Sequence, residues 1–216
     1  MERFFFTYRR LIAAIGIIGL AVCFAWLPSA SRGIFASPDE TGTAMASRLI
    51  AQTGGARLPE ALAVAAPWLH PRSWVSQGEA IVPVGFLGLP LLLSPFAKVF
   101  GGGILPWLGG LLLLSSVYPV FQLFKRRFGE PSALAATIIL FSFPVVLLYG
   151  NRGLFANGPQ LALLAWWLWL ARDLQNDSQE MTRGRLVGLG ALGMLTILLR
   201  PVEGLWIIPW MWWWIR

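Results

Sequence analysis

Apolar runs near about 18 residues recur along the chain, separated by short polar segments, which reads as repeated membrane crossing. Six runs fit full crossings: residues 11–27, 104–124, 132–149, 154–171, 186–199 and 204–215. A seventh, residues 82–101, contains Pro83, Pro90, Pro95 and Lys98. Prolines break or cap helices, so this stretch reads as an outer-face helix or re-entrant element partly sunk in the membrane. The pattern predicts an all-α fold: a polytopic transmembrane helix bundle of about six spans. Residues 1–216 form a single membrane domain, and residues 28–103 form a long first external loop carrying amphipathic juxtamembrane helices.

Composition agrees. The chain is 56% apolar and 12% charged, against about a quarter charged residues in soluble domains. Its net charge of +7 does not point to nucleic acid, because the cations lie between apolar runs and form no basic domain. They act instead as topology determinants. If residues 82–101 do not cross, then Arg3, Arg9, Arg10, Lys125, Arg126, Arg127, Arg172, Arg183, Arg185 and Arg216 all fall on the cytoplasmic side. If they do cross, most of these cations move outside, against the positive-inside rule. The first run reads as an uncleaved anchor. The lone Cys23 lies inside it and forms no internal disulfide. Many of the 12 tryptophans gather at run ends, as interfacial aromatics do.

The external segment opens with SPDETG, residues 37–42. Ser37 can cap a helix, Pro38 suits its first position, and Glu40 completes an S-x-x-E capping box. Met45 with Leu49 and Ala46 with Ile50 repeat at four residues, and Gly54-Gly55 ends the helix. This predicts an amphipathic helix lying along the outer surface. Residues 59–78, with Pro59, Pro67 and Pro71, read as irregular.

Candidate chemistry sits at the outer ends of the runs. Asp39 is a candidate general base that takes a proton from an attacking hydroxyl; Glu40 is a second candidate, with its capping role as the competing use. Arg152, Asn157 and Arg200 sit at span ends, and an arginine fork suits phosphate; snorkelling to the interface is the alternative. Glu79 and His70 are further pocket candidates. A divalent metal is conceivable between Asp39, Glu79 and a phosphate, although no Cys/His metal spacing exists. There is no P-loop, dinucleotide fingerprint or nucleophile motif.

A first run followed by SPDETGTAMASRLIAQTG resembles the start of polytopic glycosyltransferases of the GT-C class, such as protein O-mannosyltransferases, aminoarabinose transferases and RgtA/B/C/D-like enzymes. HPRSWVSQGEAIVPVGFLGLPLLLSPFAKVFG is similar to their next external element. KRRFGEPSALAATIILFSFP, RGLFANGPQLALLAWWLWLAR and ILLRPVEGLWIIP resemble the following helices and loops. The resemblance implies transfer of a sugar from a polyprenyl-phosphate donor to a lipid, glycan or protein hydroxyl. It implies an integral membrane protein of the bacterial inner membrane and cell envelope, with a cytoplasmic N-terminus and an outer-face site. It places the class aspartate on Asp39 and a donor-phosphate contact on Arg200; the span-end reading adds Arg152 as a second phosphate candidate. Two positions depart from the pattern: Asn157 stands where many relatives carry aspartate, and Val82-Pro83 where some carry lysine and proline. The family fold continues beyond the position of Arg216, so the resemblance covers its N-terminal portion. The alternative is a non-enzymatic lipid-carrier-binding or assembly protein with a degenerate or truncated site.

Overall fold

The structure, a computed structural model, describes residues 37–172 and 182–215, together with positions 16, 18, 19 and 35. Most of the expected first span, Cys23, the N-terminal arginines, Arg216 and the centre of the 172–185 loop lie outside the described residues. What is described is mostly helical.

Helix α1 (Pro38–Thr53) begins and ends where its caps dictate. Ser37 is extended, and its Oγ accepts the Glu40 amide at 3.2 Å. Gly54 closes the helix in the left-handed region at φ 76, which glycine adopts without Cβ strain. The helix is not a free surface helix. Its small residues Gly42, Ala44, Ala46 and Ser47 are buried. Ala44 packs on Leu89, Leu93 and Ala97, while Met45, Ala46 and Leu49 pack on Ala63, Trp74 and Ile81. The helix is therefore held between a neighbouring helix and a small sheet.

That sheet corrects the irregular reading of residues 59–78. Strands β1 (Leu58–Pro59), β2 (Trp74–Gln77) and β3 (Ala80–Pro83) form an antiparallel sheet in the order β1-β3-β2, with the one-turn helix α2 (Leu62–Ala65) between β1 and β2. Gln77 pairs Ala80 and Trp74 pairs Pro83. The two-residue loop Gly78-Glu79 closes the hairpin, with Gly78 at φ 62 as such tight loops require. Trp74 is 1% exposed and anchors the sheet on α1.

Helix α3 (Gly88–Phe100) has 13 residues, with Pro95 inside it. At about 1.5 Å per residue it is too short to cross a bilayer. Strand β3 takes Val82 and Pro83 out of the predicted element. After the Gly101 turn, a 3-10 turn (Gly102–Ile104) leads into α4 (Leu105–Ser115) and α5 (Val117–Phe128). Together Gly102–Phe128 is one apolar helix of 27 residues, about 40 Å long. Helices α6 (Glu130–Phe141) and α7 (Pro144–Asn151) are bent by 59° at a break before Pro144, where the ring cannot accept the preceding turn. Helices α8 (Asn157–Ala171), α9 (Arg183–Leu199) and α10 (Gly204–Ile215) follow. Among the described residues one helix is long and apolar enough to cross a membrane, or two if the bent pair counts as one.

Close contacts fix the order of the helices. A Cβ at Gly109 of α4 would overlap the Gly153 carbonyl, and one at Gly88 of α3 would overlap the Leu198 carbonyl. Further along, Ser115 accepts the Trp166 indole N–H at 3.1 Å. Tyr118 meets Trp169 edge-on at 5.6 Å. Helices α4–α5 and α8 therefore run the same way, with α7 and α9 ending where α4 and α8 begin. The result is a bundle with two distinct ends.

Candidate functional site

Residues 37 to 43, 70 to 90, 152 to 157 and 199 to 200 converge at one end of this bundle. They enclose a cleft of about 390 Å³ lined by Asp39, Arg72, Ser73, Asn157 and Arg200. Its apolar wall comes from the segment leading into α3, including Val84, Phe86, Leu87, Leu89 and Pro90.

Asp39 sits in the first turn of α1, where the helix dipole favours a carboxylate. It is exposed to the cleft, and its Oδ1 accepts a hydrogen bond from Ser73 Oγ at 3.0 Å. Gly42 allows that contact: a Cβ there would lie 2.7 Å from the Ser73 Cβ, closer than carbon atoms pack. Arg200 follows the last turn of α9 in extended backbone, φ −147 and ψ 98. Its Nη2 donates to Asn157 Oδ1 in a short contact. The amide orients the guanidinium without neutralising it.

Glu40 and Arg152 take a different place. Glu40 is 5% exposed and does not line the cleft. Its Oε2 lies 3.6 Å from Arg152 Nη2, with no closer hydrogen bond to that oxygen. Arg152 also lies over the Phe155 ring at 5.1 Å, and Phe155 meets Tyr149 edge-on at 6.2 Å. Only half of the expected capping box is made: the Ser37 hydroxyl receives the Glu40 amide, but the Glu40 side chain goes to Arg152. The pair ties α1 to the loop after α7, the loop that delivers Asn157 to Arg200.

Of the sequence candidates, the fold brings Asp39, Asn157 and Arg200 into one cleft and puts Glu40 with Arg152 beside it. Glu79 stands exposed in the β2–β3 loop, where its carbonyl receives the Glu60 amide. His70 is half-buried, with Nδ1 3.2 Å from the Pro71 carbonyl. Neither lines the cleft. Among the described residues no group of three or more His, Cys, Asp or Glu side chains could hold a metal ion.

Two cleft residues carried no assigned role in the sequence. Ser73 offered no signal, because its partner is 34 positions away. Arg72 was visible in HPRS only as one more external cation. Among the described residues the cleft's ionisable lining is one carboxylate and two guanidiniums, so that lining is net positive.

The opposite end differs. Lys125, Arg126 and Arg127 close α5, Arg172 follows α8, and Arg183 and Arg185 open α9. Lys125 pairs with Glu130 at 2.9 Å, with both side chains about half exposed, and Arg172 lies over Trp169 at 4.6 Å.

Comparison of the chain with family models, curated proteins and solved structures returned no match.

Proposed function

We propose that the cleft is the active site of a membrane glycosyltransferase of GT-C type. It would move a sugar from a polyprenyl-phosphate donor to an acceptor hydroxyl on the outer face of the membrane. The observation that supports this most is the meeting of the Asp39 carboxylate and the Arg200 guanidinium in one cleft with an apolar flank. Asp39, held by Ser73, takes the proton of the acceptor hydroxyl as that oxygen bonds to the sugar's anomeric carbon. The bond from that carbon to the phosphate oxygen breaks, and its electron pair leaves with the phosphate. Arg200, oriented by Asn157, stabilises the charge of the departing phosphate. Phe86 and Leu87, which are 60% and 38% exposed, flank the cleft on the side suited to the lipid tail. Glu40 and Arg152 hold the loop that carries Asn157.

In this reading the helices form the bundle of about six spans expected from the apolar runs. The cationic end faces the cytoplasm and the cleft faces outward, as in a bacterial inner membrane. Charges gathered at helix ends fit this better than the mid-membrane sites of a transporter.

Sugar transfer by the complete protein in membranes tests the reading. Asp39→Asn is expected to lose about 10²- to 10⁴-fold in rate while its insertion and thermal midpoint stay unchanged. A variant as fast as the native chain removes Asp39 from the mechanism. One observation favours a second reading: with asparagine at 157, the cleft has a single carboxylate among the described residues. A carrier-binding protein without turnover would bind the polyprenyl phosphate through Arg200 and transfer nothing.

A further inference from the structure

Arg72 is the cleft residue that the proposed chemistry leaves unused. It is exposed. Among the described residues its guanidinium has no hydrogen bond, ion pair or ring contact, unlike Arg152 and Arg200. An arginine left without an acceptor presents up to five donors in a rigid fork suited to a carboxylate or phosphate.

Its position is specific. Arg72 lines the main cleft, and it also lines an adjoining recess of about 330 Å³ with Ser37, Thr41, Gly42, Ser73 and Trp74. Arg200 and Asn157 line the cleft alone. Gly42, Arg72 and Ser73 belong to both spaces and form the wall between them, and Ser73 bonds Asp39. Asp39 thus shares the cleft with both arginines, and of the two only Arg72 also lines the recess. Among the described residues the recess has no carboxylate in its lining. Its hydroxyls are engaged locally: Ser37 accepts the Glu40 amide and Thr41 donates to the Ser37 carbonyl. Among the described residues the unpaired charge lining that space is the Arg72 cation.

We infer that the second substrate is an anion: Arg72 reads a phosphate or carboxylate group on the acceptor, which occupies the recess while the donor phosphate sits at Arg200. This rests on the glycosyltransferase reading for the word acceptor, but the anion site stands on its own geometry.

Equilibrium binding to the purified full chain in neutral detergent tests it, with glucose 6-phosphate, glucuronate and methyl glucoside as probes. The native chain is expected to bind at least one anionic sugar about tenfold or more tightly than methyl glucoside, as a charged hydrogen-bond pair allows. The preference falls as salt rises. Which anion binds better tells phosphate from carboxylate. In an Arg200→Gln background, which removes the donor-phosphate site as a competing anion site, Arg72→Gln is expected to abolish the remaining preference and Arg72→Lys to keep part of it, since the charge remains without the fork. Equal or undetectable binding of all three probes in that background, or a preference that survives Arg72→Gln there, overturns the inference. If the native chain keeps the preference but transfers no sugar from a polyprenyl-phosphate donor, the glycosyltransferase reading fails and the anion site does not.

Discussion

The two ends of the bundle both carry arginines, and they use them differently. At the cleft end each guanidinium has an individual setting: Arg152 on the buried Glu40, Arg200 on Asn157, Arg72 open to two cavities. The backbone there is irregular, and helices approach through glycine. At the far end the cations sit at helix termini, Lys125 on an exposed acid and Arg172 on an aromatic ring. A charge at a helix end is cheap when solvent can reach it; one drawn into a packed junction requires a partner. The contrast separates charges at solvated helix ends from charges set one by one at a packed junction.

The largest effect should come from the backbone junctions that shape the cleft end. Gly88→Ala forces a methyl group onto the Leu198 carbonyl. It is expected to cost about 3 kcal/mol or more, because backbone cannot yield as a side chain does. Gly190→Ala, with open space around its Cβ in α9, should be neutral or slightly stabilising. Thermal unfolding in detergent checks both, and equal midpoints would mean that α3 and α9 do not meet.

Next comes the Glu40–Arg152 tie. Arg152→Leu leaves a buried carboxylate without its cation and is expected to destabilise by about 2 kcal/mol, lowered from the fully buried case because Arg152 is partly exposed. Adding Glu40→Leu should restore most of that loss. If the double variant is no more stable than Arg152→Leu alone, the pair does not hold the junction.

The smallest effect belongs to the far end. Lys125→Ala removes an exposed pair with Glu130 and should change stability by less than about 0.5 kcal/mol. A change of 2 kcal/mol would erase the distinction between the ends.

Much of this was legible where the signal is local. Ser37, Pro38 and Gly54 fix α1 because caps act within a turn, and the prolines of residues 82–101 announced a helix too short to cross. The packing of α1 against two neighbours was hidden for a physical reason. Its packing face is made of Gly42, Ala44, Ala46 and Ser47, which large-residue counting ignores but which permit close helix approach. The hairpin was hidden by the prolines around it, although Trp74-Val75-Ser76-Gln77 alternates in burial and Gly78 supplies the turn. Asp39, Asn157 and Arg200 were readable as polar groups at the ends of apolar runs. Their partners were not, because Ser73 to Asp39, Arg152 to Glu40 and Asn157 to Arg200 are contacts of the folded chain.

The central claim is that Asp39 and Arg200 act on one substrate pair in one cleft. A double-mutant cycle on sugar transfer tests it directly, with Asp39→Asn, Arg200→Gln and both together in the complete protein. Groups serving one transition state are not additive, so the double variant should be within about threefold of the slower single one. Losses that multiply independently, or a native rate in either single variant, would contradict the shared site.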